Sequence, residues 1–511
     1  MVSVPPTSDY MSVAQFFHDK SVFVTGGTGF MGKVLVEKLL WSCPGIKNIY
    51  LLMRPKRGLD VASRLAELIN SPLFERLRKE RPLETKKIIP IAGDVAEPEL
   101  GINKLDQNRL IDNVAVVFHA AATVRFDEPL KSAVVINMLS TRKLLALCHR
   151  MHNIEAFIHI STAYCNCDRE EVDEIVYSPQ YDPENVIQWM EWMDDRLIDA
   201  ISPLLLGQRP NSYTFSKALA ESILVREKGT LPVSIVRPSI VLSTWREPMP
   251  GWVDSLAGPA GLVAAGGKGL FRTIHCNGDK VADLIPVDMV VNLTICAAWR
   301  TARERSQSIT VYNCASGLQN PITWKKFLGL CSDYVHKYPL IDALWYPVNK
   351  CYSPWALNIL STFILHTVPA HTLDFFRKLT GKKPMMVCIQ TKLKKGSKSL
   401  EYFTTHQWRF KDANMHQLFK TLCTEDQQTF NFDVQAIDWL AVVETYVLGI
   451  RKFIFKQDPS SIPEARKWQC KLFWMHQVAQ FIAVILPVWL IMTLLFPFNF
   501  QNDLIAKNTK L

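Results

Sequence analysis

A tyrosine and a lysine four residues apart, in Tyr213-Thr-Phe-Ser-Lys217, open a helical pattern that continues through Ala218, Leu219, Ala220, Ile223 and Leu224. A spacing of four sets the phenol and the ammonium on one helix face. A free phenol titrates near about 10, and an adjacent positive charge favours phenolate, so the pair is expected to move protons near neutral pH. Upstream, the buried-strand pattern Ala156-Phe-Ile-His-Ile160 runs into Ser161-Thr162, hydroxyls placed where a parallel strand opens onto a crevice. Strand alternation aims the two hydroxyls oppositely, so one of them is expected to face a ligand. His119 and His159 are acids by type, but histidines carried on strands are expected as satisfied core residues.

Such groups need a fold that brings a reactant to them. Val22-Phe-Val-Thr-Gly-Gly-Thr-Gly-Phe-Met-Gly32 reads in order as a buried strand, a glycine turn and the start of a helix reaching Leu40. Glycines at 26, 29 and 32 stand where a tight turn, backbone approach to a pyrophosphate and close helix-to-strand packing each exclude a Cβ. The N–H groups and positive dipole end of the helix then face phosphates. After the second strand, Tyr50-Leu-Leu-Met53, the chain gives Arg54-Pro-Lys56-Arg57, where an acidic residue would hold the ribose hydroxyls of NAD. Arginine receives a 2′-phosphate instead, so NADPH is the expected cofactor, with Arg54 the first candidate and Arg57 the second.

From Lys20 to about Arg237, short apolar runs alternate with helical patterns. The expected fold is α/β, a Rossmann-type doubly wound parallel sheet with strands near 21–25, 49–53, 88–92, 114–119, 156–161 and 233–237. At 511 residues the chain is longer than one core normally supports, so two domains are expected. Prolines and glycines interrupt the pattern around 315–355, and beyond them the chain becomes helical. Trp439, Val443, Tyr446 and Ile450, spaced four, three and four, give one apolar helix face.

With 48% hydrophobic and 21% charged residues the chain is globular. Its net charge of +10 is spread without a long basic cluster, which argues against nucleic acid and suits phosphorylated ligands and a lipid surface. The 12 cysteines form no metal spacing, so no metal site is expected and the thiols are read as reduced.

The start of the chain has neither the basic residues nor the apolar core of a signal peptide, so the catalytic part is expected to face the cytosol. From Leu472 to Asn502 there is no Asp, Glu, Lys or Arg, and Phe481 to Phe500 is long enough to cross a bilayer of about 30 Å. A single-pass C-terminal membrane anchor is therefore expected, on the peroxisome or the endoplasmic reticulum. Trp355 to Val368 is a shorter apolar patch, read as a core or interfacial helix, with membrane insertion as the alternative.

These motifs together resemble the extended short-chain dehydrogenase/reductase superfamily and, within it, the alcohol-forming fatty acyl-CoA reductases. The superfamily pattern is carried by Thr25-Gly-Gly-Thr-Gly-Phe-Met-Gly32, Gly93-Asp94-Val95, His119-Ala-Ala-Ala122, His159-Ile-Ser-Thr-Ala-Tyr164, Tyr213 with Lys217, and Val236-Arg-Pro-Ser-Ile240. More specific are Glu191-Trp-Met-Asp-Asp195, Glu247-Pro-Met-Pro-Gly-Trp252, Gly266-Gly-Lys-Gly269, Ala282-Asp-Leu-Ile-Pro-Val287, Leu400-Glu-Tyr-Phe403 and Phe430-Asn-Phe-Asp-Val434. The resemblance covers nearly the whole chain.

The resemblance implies a cofactor turn of Thr25, Gly26, Gly27, Thr28, Gly29, Phe30, Met31 and Gly32. It places Asp94 and Val95 at the adenine and Ala120 and Ala121 close against the cofactor. In the implied chemistry Thr162 steadies a carbonyl oxygen, Tyr213 donates a proton, and Lys217 lowers the tyrosine pKa and holds the nicotinamide ribose. The implied reaction takes a long-chain acyl-CoA through an aldehyde to a primary alcohol and releases CoA, supplying wax and ether lipids. The implied divisions are an N-terminal extension (1–19), an NADP-binding reductase domain with substrate insertions (20–320), a helical C-terminal domain (355–457) and a transmembrane segment (478–500).

The insertion at 165–210 holds Trp189, Met190, Trp192 and Met193, and its aromatics are expected either to line an acyl channel or simply to pack. The segment Gly258 to Gly269, with Lys268 and Arg272, is a candidate to wrap substrate phosphates or a mobile loop with solvated cations. A homo-oligomer stays open. So do two other functions: a hydroxysteroid dehydrogenase or epimerase-like enzyme, and a membrane-tethered NADP-binding protein without catalysis.

Overall fold

Seven parallel strands build the sheet: β1 (Ser21–Thr25), β2 (Asn48–Met53), β3 (Ile88–Ala92), β4 (Val114–His119), β5 (Ala156–Ile160), β6 (Val233–Pro238) and β7 (Thr310–Cys314). The computed structural model describes residues 10–55 and 58–495. The strand order is β7-β6-β5-β4-β1-β2-β3, every neighbouring pair parallel. The order reverses between β1 and β4, which opens a crevice beyond their carboxyl ends. Val22, Phe23 and Val24 are fully buried, as a strand covered on both faces requires. β7, which the sequence reading missed, is a short mixed run that pairs with β6 at the sheet edge.

The helices that position the site are α1 (Phe30–Ser42), α2 (Pro183–Trp192), α3 (Asp195–Leu206), α4 (Ser212–Glu227), α5 (Pro259–Gly267), α6 (Val287–Glu304), α7 (Trp324–Lys337), α8 (Trp355–Thr362), α9 (Val368–Leu379), α10 (Met386–Thr405), α11 (Trp439–Gly449) and α12 (Ile462–Leu495). One hydrophobic core runs from Val22 and Leu39 through Leu293 and Ile295 of α6 to Val442 and Val443 of α11. The helical C-terminal part therefore completes the core on one sheet face. Trp439, Val443, Tyr446 and Ile450 are all buried, so the four-three-four spacing did mark a packed face.

On the other sheet face, α2 and α3 of the insertion pack on α4, with Val186, Ile187, Met190 and Ile198 in the cluster that holds Phe215 and Leu219. Trp189 meets Tyr181 edge-on at 5.5 Å, and Trp192 is 66% exposed. Trp189, Met190 and Met193 pack, Trp192 faces solvent, and none of the four lines the cavity.

α12 begins on the body and then leaves it. Ala465 and Leu472 are buried, and Trp468 Nε1 donates to the Ala343 carbonyl at 2.8 Å. Trp345 Nε1 donates to His476 Nδ1 at 3.0 Å, and beyond that point Val478, Phe481, Ile482 and Val484 are exposed. The helix is long and apolar enough to cross a membrane. Residues 496–500 of the expected span lie outside the described residues.

Candidate active site

Gly26 sits at φ +73°, and a Cβ there would stand 2.5 Å from the Ala121 nitrogen. A Cβ on Gly32 would stand 2.3 Å from the Gly26 carbonyl oxygen. Both positions admit only glycine, and the backbone at Ala120 and Ala121 closes against the turn, with Ala120 N donating to the Thr25 carbonyl at 3.1 Å. Gly29 caps α1 without a side chain, so the N–H groups of its first turn are left for an anion. Gly27, Thr28, Phe30 and Met31 make up the rest of this turn and the start of α1.

Arg54 follows β2 with its side chain 60% exposed and Nη1 3.4 Å from Asp94 Oδ2. Asp94 Oδ1 accepts from Ala96 N at 3.1 Å across Val95. Arg57 lies outside the described residues. Sequence reasoning missed Arg64, whose guanidinium bonds the Arg54 carbonyl and reaches Thr28 Oγ1 at 3.5 Å. Arg64 thus ties the turn to the end of β2; a lone arginine on a surface helix gave no signal of this.

Thr162, Tyr213 and Lys217, the trio expected from the sequence, come together beyond the ends of β4 and β5. Asn211 caps α4 by accepting from Thr214 N at 2.9 Å, which fixes the first turn that carries Tyr213. Thr162 lies just past β5, and its hydroxyl accepts from Tyr164 N at 3.3 Å. Burial pushes the Tyr213 phenol well above its ordinary range, and the neighbouring Thr162 hydroxyl draws it partly back. Lys217 is buried and donates to the Ile160 carbonyl at 2.7 Å; burial lowers it to about 8. The expected lowering of the phenol by Lys217 is not found: desolvation raises Tyr213, and what lowers it is the Thr162 hydroxyl. Ser161 and Thr162 both border the cavity, but the Thr162 hydroxyl is the one beside the phenol.

The two strand histidines are core groups. His119 Nδ1 bonds Thr25 Oγ1 at 2.7 Å and Nε2 bonds Thr141 Oγ1 at 3.1 Å, pinning β4 to β1, and burial lowers it to about 3. His159 is fully buried too, but neither ring nitrogen finds a hydrogen-bond partner among the described residues, so it is a core residue without the satisfaction expected of it, and burial holds it far below its ordinary value.

Two further groups hold the trio. Asn137 Nδ2 donates to Ser216 Oγ at 2.9 Å and to the Thr123 carbonyl at 3.2 Å, joining α4 to the loop after β4. Below Lys217, Glu221 and Arg237 form a fully buried pair, with Nε to Oε1 at 2.8 Å and Nη2 to Oε2 at 2.5 Å. Arg237 also donates to the carbonyls of Asp173 and Ile175 at 3.1 and 2.7 Å. The Val236-Arg-Pro-Ser-Ile240 motif is thus a clamp between α4, β6 and the start of the insertion.

From the glycine turn and the trio, a cavity of about 950 Å³ extends between α5, α7 and α11. Its deep walls carry Val263, Phe327, Cys331, Val335 and Tyr446, all buried. Phe126 bridges Tyr213 and Phe403 of α10, with ring centroids 5.9 and 5.4 Å apart. The C-terminal part therefore supplies a wall of the site, which the sequence did not reveal. Gly258 to Gly269 is not a free phosphate loop: most of it is α5, Lys268 pairs with Asp342, and Arg272 donates to the carbonyls of Gly269 and Leu365 at 3.0 and 3.2 Å. Among the described residues, no cluster of His, Cys, Asp or Glu could hold a metal.

Two family models, both described as male sterility protein and the first of them for NAD binding, match residues 24–294 and 365–457. The chain is 43% identical to fatty acyl-CoA reductase 1 of Xenopus laevis over 462 residues, 90% of each protein. It is 43% identical to fatty acyl-CoA reductase 2 of Mus musculus, covering 93% of this chain and 92% of that one. A solved structure, the terminal R domain of the myxalamid biosynthetic pathway, shares the fold with a TM-score of 0.57 at 17% identity, over 86% of this chain and 92% of that one.

Proposed function

The chain belongs to the fatty acyl-CoA reductases, and on that premise we propose that it reduces a long-chain acyl-CoA to a primary alcohol with NADPH at one site. It is a nicotinamide-dependent oxidoreductase. The observation that carries the finer reading is the placement of Thr162, Tyr213 and Lys217 on one wall of an apolar cavity continuous with the glycine turn. Bound reduced nicotinamide supplies hydride to a carbonyl carbon. The Thr162 and Tyr213 hydroxyls donate to the carbonyl oxygen as charge builds there, and Tyr213, kept protonated by burial, gives that oxygen its proton when the alcohol forms. In the first reduction the thiolate of CoA leaves and takes up a proton. Lys217, on the same cavity wall, would hold the nicotinamide ribose when the cofactor is bound. Loss of the thiolate leaves an aldehyde, which the same hydroxyls receive in the second reduction. Turnover of long-chain acyl-CoA by the full chain in vesicles, read as CoA release that requires the reduced cofactor, tests this reading.

Preference for NADPH over NADH is supported by Arg54 just after β2, where no acidic residue stands, and by Arg64, which reaches the Arg54 carbonyl from the helix that follows. A charge-assisted hydrogen bond contributes about 1.5–3 kcal/mol, so Arg54→Ala should raise KM for NADPH roughly 10- to 150-fold and leave KM for NADH little changed. Equal use of both cofactors by the unmodified protein contradicts this assignment.

The acyl chain takes the deep end of the cavity, and Lys325 and Lys350 on its border suit the phosphates of CoA. Val335→Trp should shorten the space between α7 and α11. Each methylene kept out costs about 0.8 kcal/mol, roughly fourfold in kcat/KM. A panel of acyl-CoA lengths should therefore shift towards shorter chains; an unchanged profile places the chain elsewhere. The N-terminal part and the C-terminal helices act as one reductase unit on this reading, with α12 as a single membrane anchor and the catalytic part on the cytosolic side.

A further inference from the structure

The stretch formed by α8, the π-helical turn Phe363–Thr367 and α9 is built inside out for water. Its buried stripe is the polar one. Thr362 Oγ1 bonds Thr273 Oγ1 at 3.3 Å, and His366 Nε2 accepts from Arg272 N at 3.0 Å. Asp374 accepts from the backbone N–H groups of Met385, Met386 and Val387 at 2.8, 2.9 and 2.9 Å. The outward face carries Trp355, Leu360, Phe363, Ile364, Phe375 and Phe376, which are 53% to 63% exposed. A soluble helix places these two faces the other way round.

This face lies beside the point where α12 leaves the body. Arg272 donates to the Leu365 carbonyl at 3.2 Å and stands 5.4 Å from the Trp345 ring centre. Trp345 in turn donates to His476 of α12 at 3.0 Å. Two residues on, α12 runs exposed and apolar. Arg377, Lys378, Lys382 and Lys383 cluster at the end of α9, a charge that complements anionic headgroups. An outward face of Trp, Leu, Ile and Phe bordered by cations is the pattern of a helix lying in the plane of a bilayer interface.

We propose that the outward face of Trp355–Leu379 is a second membrane contact, which lies in the interface of the same bilayer that α12 enters. The occupant is lipid: the apolar face lies beside the exit of the span, linked to it through Arg272, Trp345 and His476, and is bordered by cations. Docking there sets the strand Thr273–His275, a wall of the substrate cavity, directly behind the lipid-facing helix. The proposal rests on reading α12 as a membrane span.

The test uses the full chain in vesicles of phosphatidylcholine containing phosphatidylserine. The photoreactive residue p-benzoylphenylalanine replaces Phe363, Phe375, Ile485 or Leu105, one at a time, and adducts are identified by mass after irradiation. Lipid adducts are expected at 363 and 375, as at 485 within the span, and none at 105, an exposed position in the sheet domain. Adducts at 485 without any at 363 and 375 overturn the docking proposal alone. Cross-links from 363 or 375 to a second copy of the chain in place of lipid also overturn it. Adducts at 363 and 375 without any at 485 overturn the span and, with it, the proposal that both contacts share one bilayer.

Discussion

Tyr213→Phe should lower turnover of acyl-CoA by about a hundredfold to ten-thousandfold, the usual contribution of a positioned general acid, while NADPH binding is retained. The variant removes one hydroxyl. Its ring still meets Phe126, and the cap of Asn211 on α4 is untouched, so the fold and the cofactor cradle keep their contacts. The phenol is held above its ordinary range by burial, so the hydroxyl that is lost is a protonated one aimed at developing negative charge. Steady-state rates together with a cofactor-binding titration separate the two effects. Turnover near that of the unmodified protein would remove Tyr213 from the mechanism.

Glu221→Leu should cost about 3–5 kcal/mol of stability, because it leaves the Arg237 guanidinium charged and buried without its carboxylate. Two carbonyls still accept from Arg237, but neither carries a charge. Lys217 sits one turn earlier on the same helix, so turnover should fall with stability. The double variant Glu221→Leu, Arg237→Met leaves no unpaired charge and should recover part of the loss. Denaturant titration of the three proteins in detergent reads both. A single variant as stable as the unmodified chain, or a double variant worse than the single one, contradicts the clamp.

Six of the seven strands were legible because each is an apolar run bounded by polar residues, and the glycine turn because its spacing leaves few other uses. Thr310–Cys314 was not, since a short mixed run at a sheet edge carries neither pattern. The trio was legible by type and order, but the state of Tyr213 was not. Four-residue spacing announces a nearby charge, whereas burial, which dominates here, depends on Phe126 and on Phe403, 190 residues away along the chain. The same blindness to what faces what led the aromatics at 189–193 to be weighed as channel walls. The cavity walls are Phe327, Val335 and Tyr446; of these only Tyr446 stood in a periodicity read from the sequence, and that told only that it was buried. Arg64 gave no signal, because its reach to Thr28 is made by the fold and not by spacing.

The central claim is that one site carries both reductions, since thioester and aldehyde each present a carbonyl oxygen that gains charge between Thr162 and Tyr213. A long chain held in the cavity favours retention of the aldehyde, each buried methylene contributing about 0.8 kcal/mol against water. The measurement that tests it most directly is the ratio of NADPH oxidised to CoA released by the full chain in vesicles, with the lipid product identified. The account predicts about two NADPH per CoA and a primary alcohol. About one NADPH per CoA, with aldehyde accumulating, would contradict it.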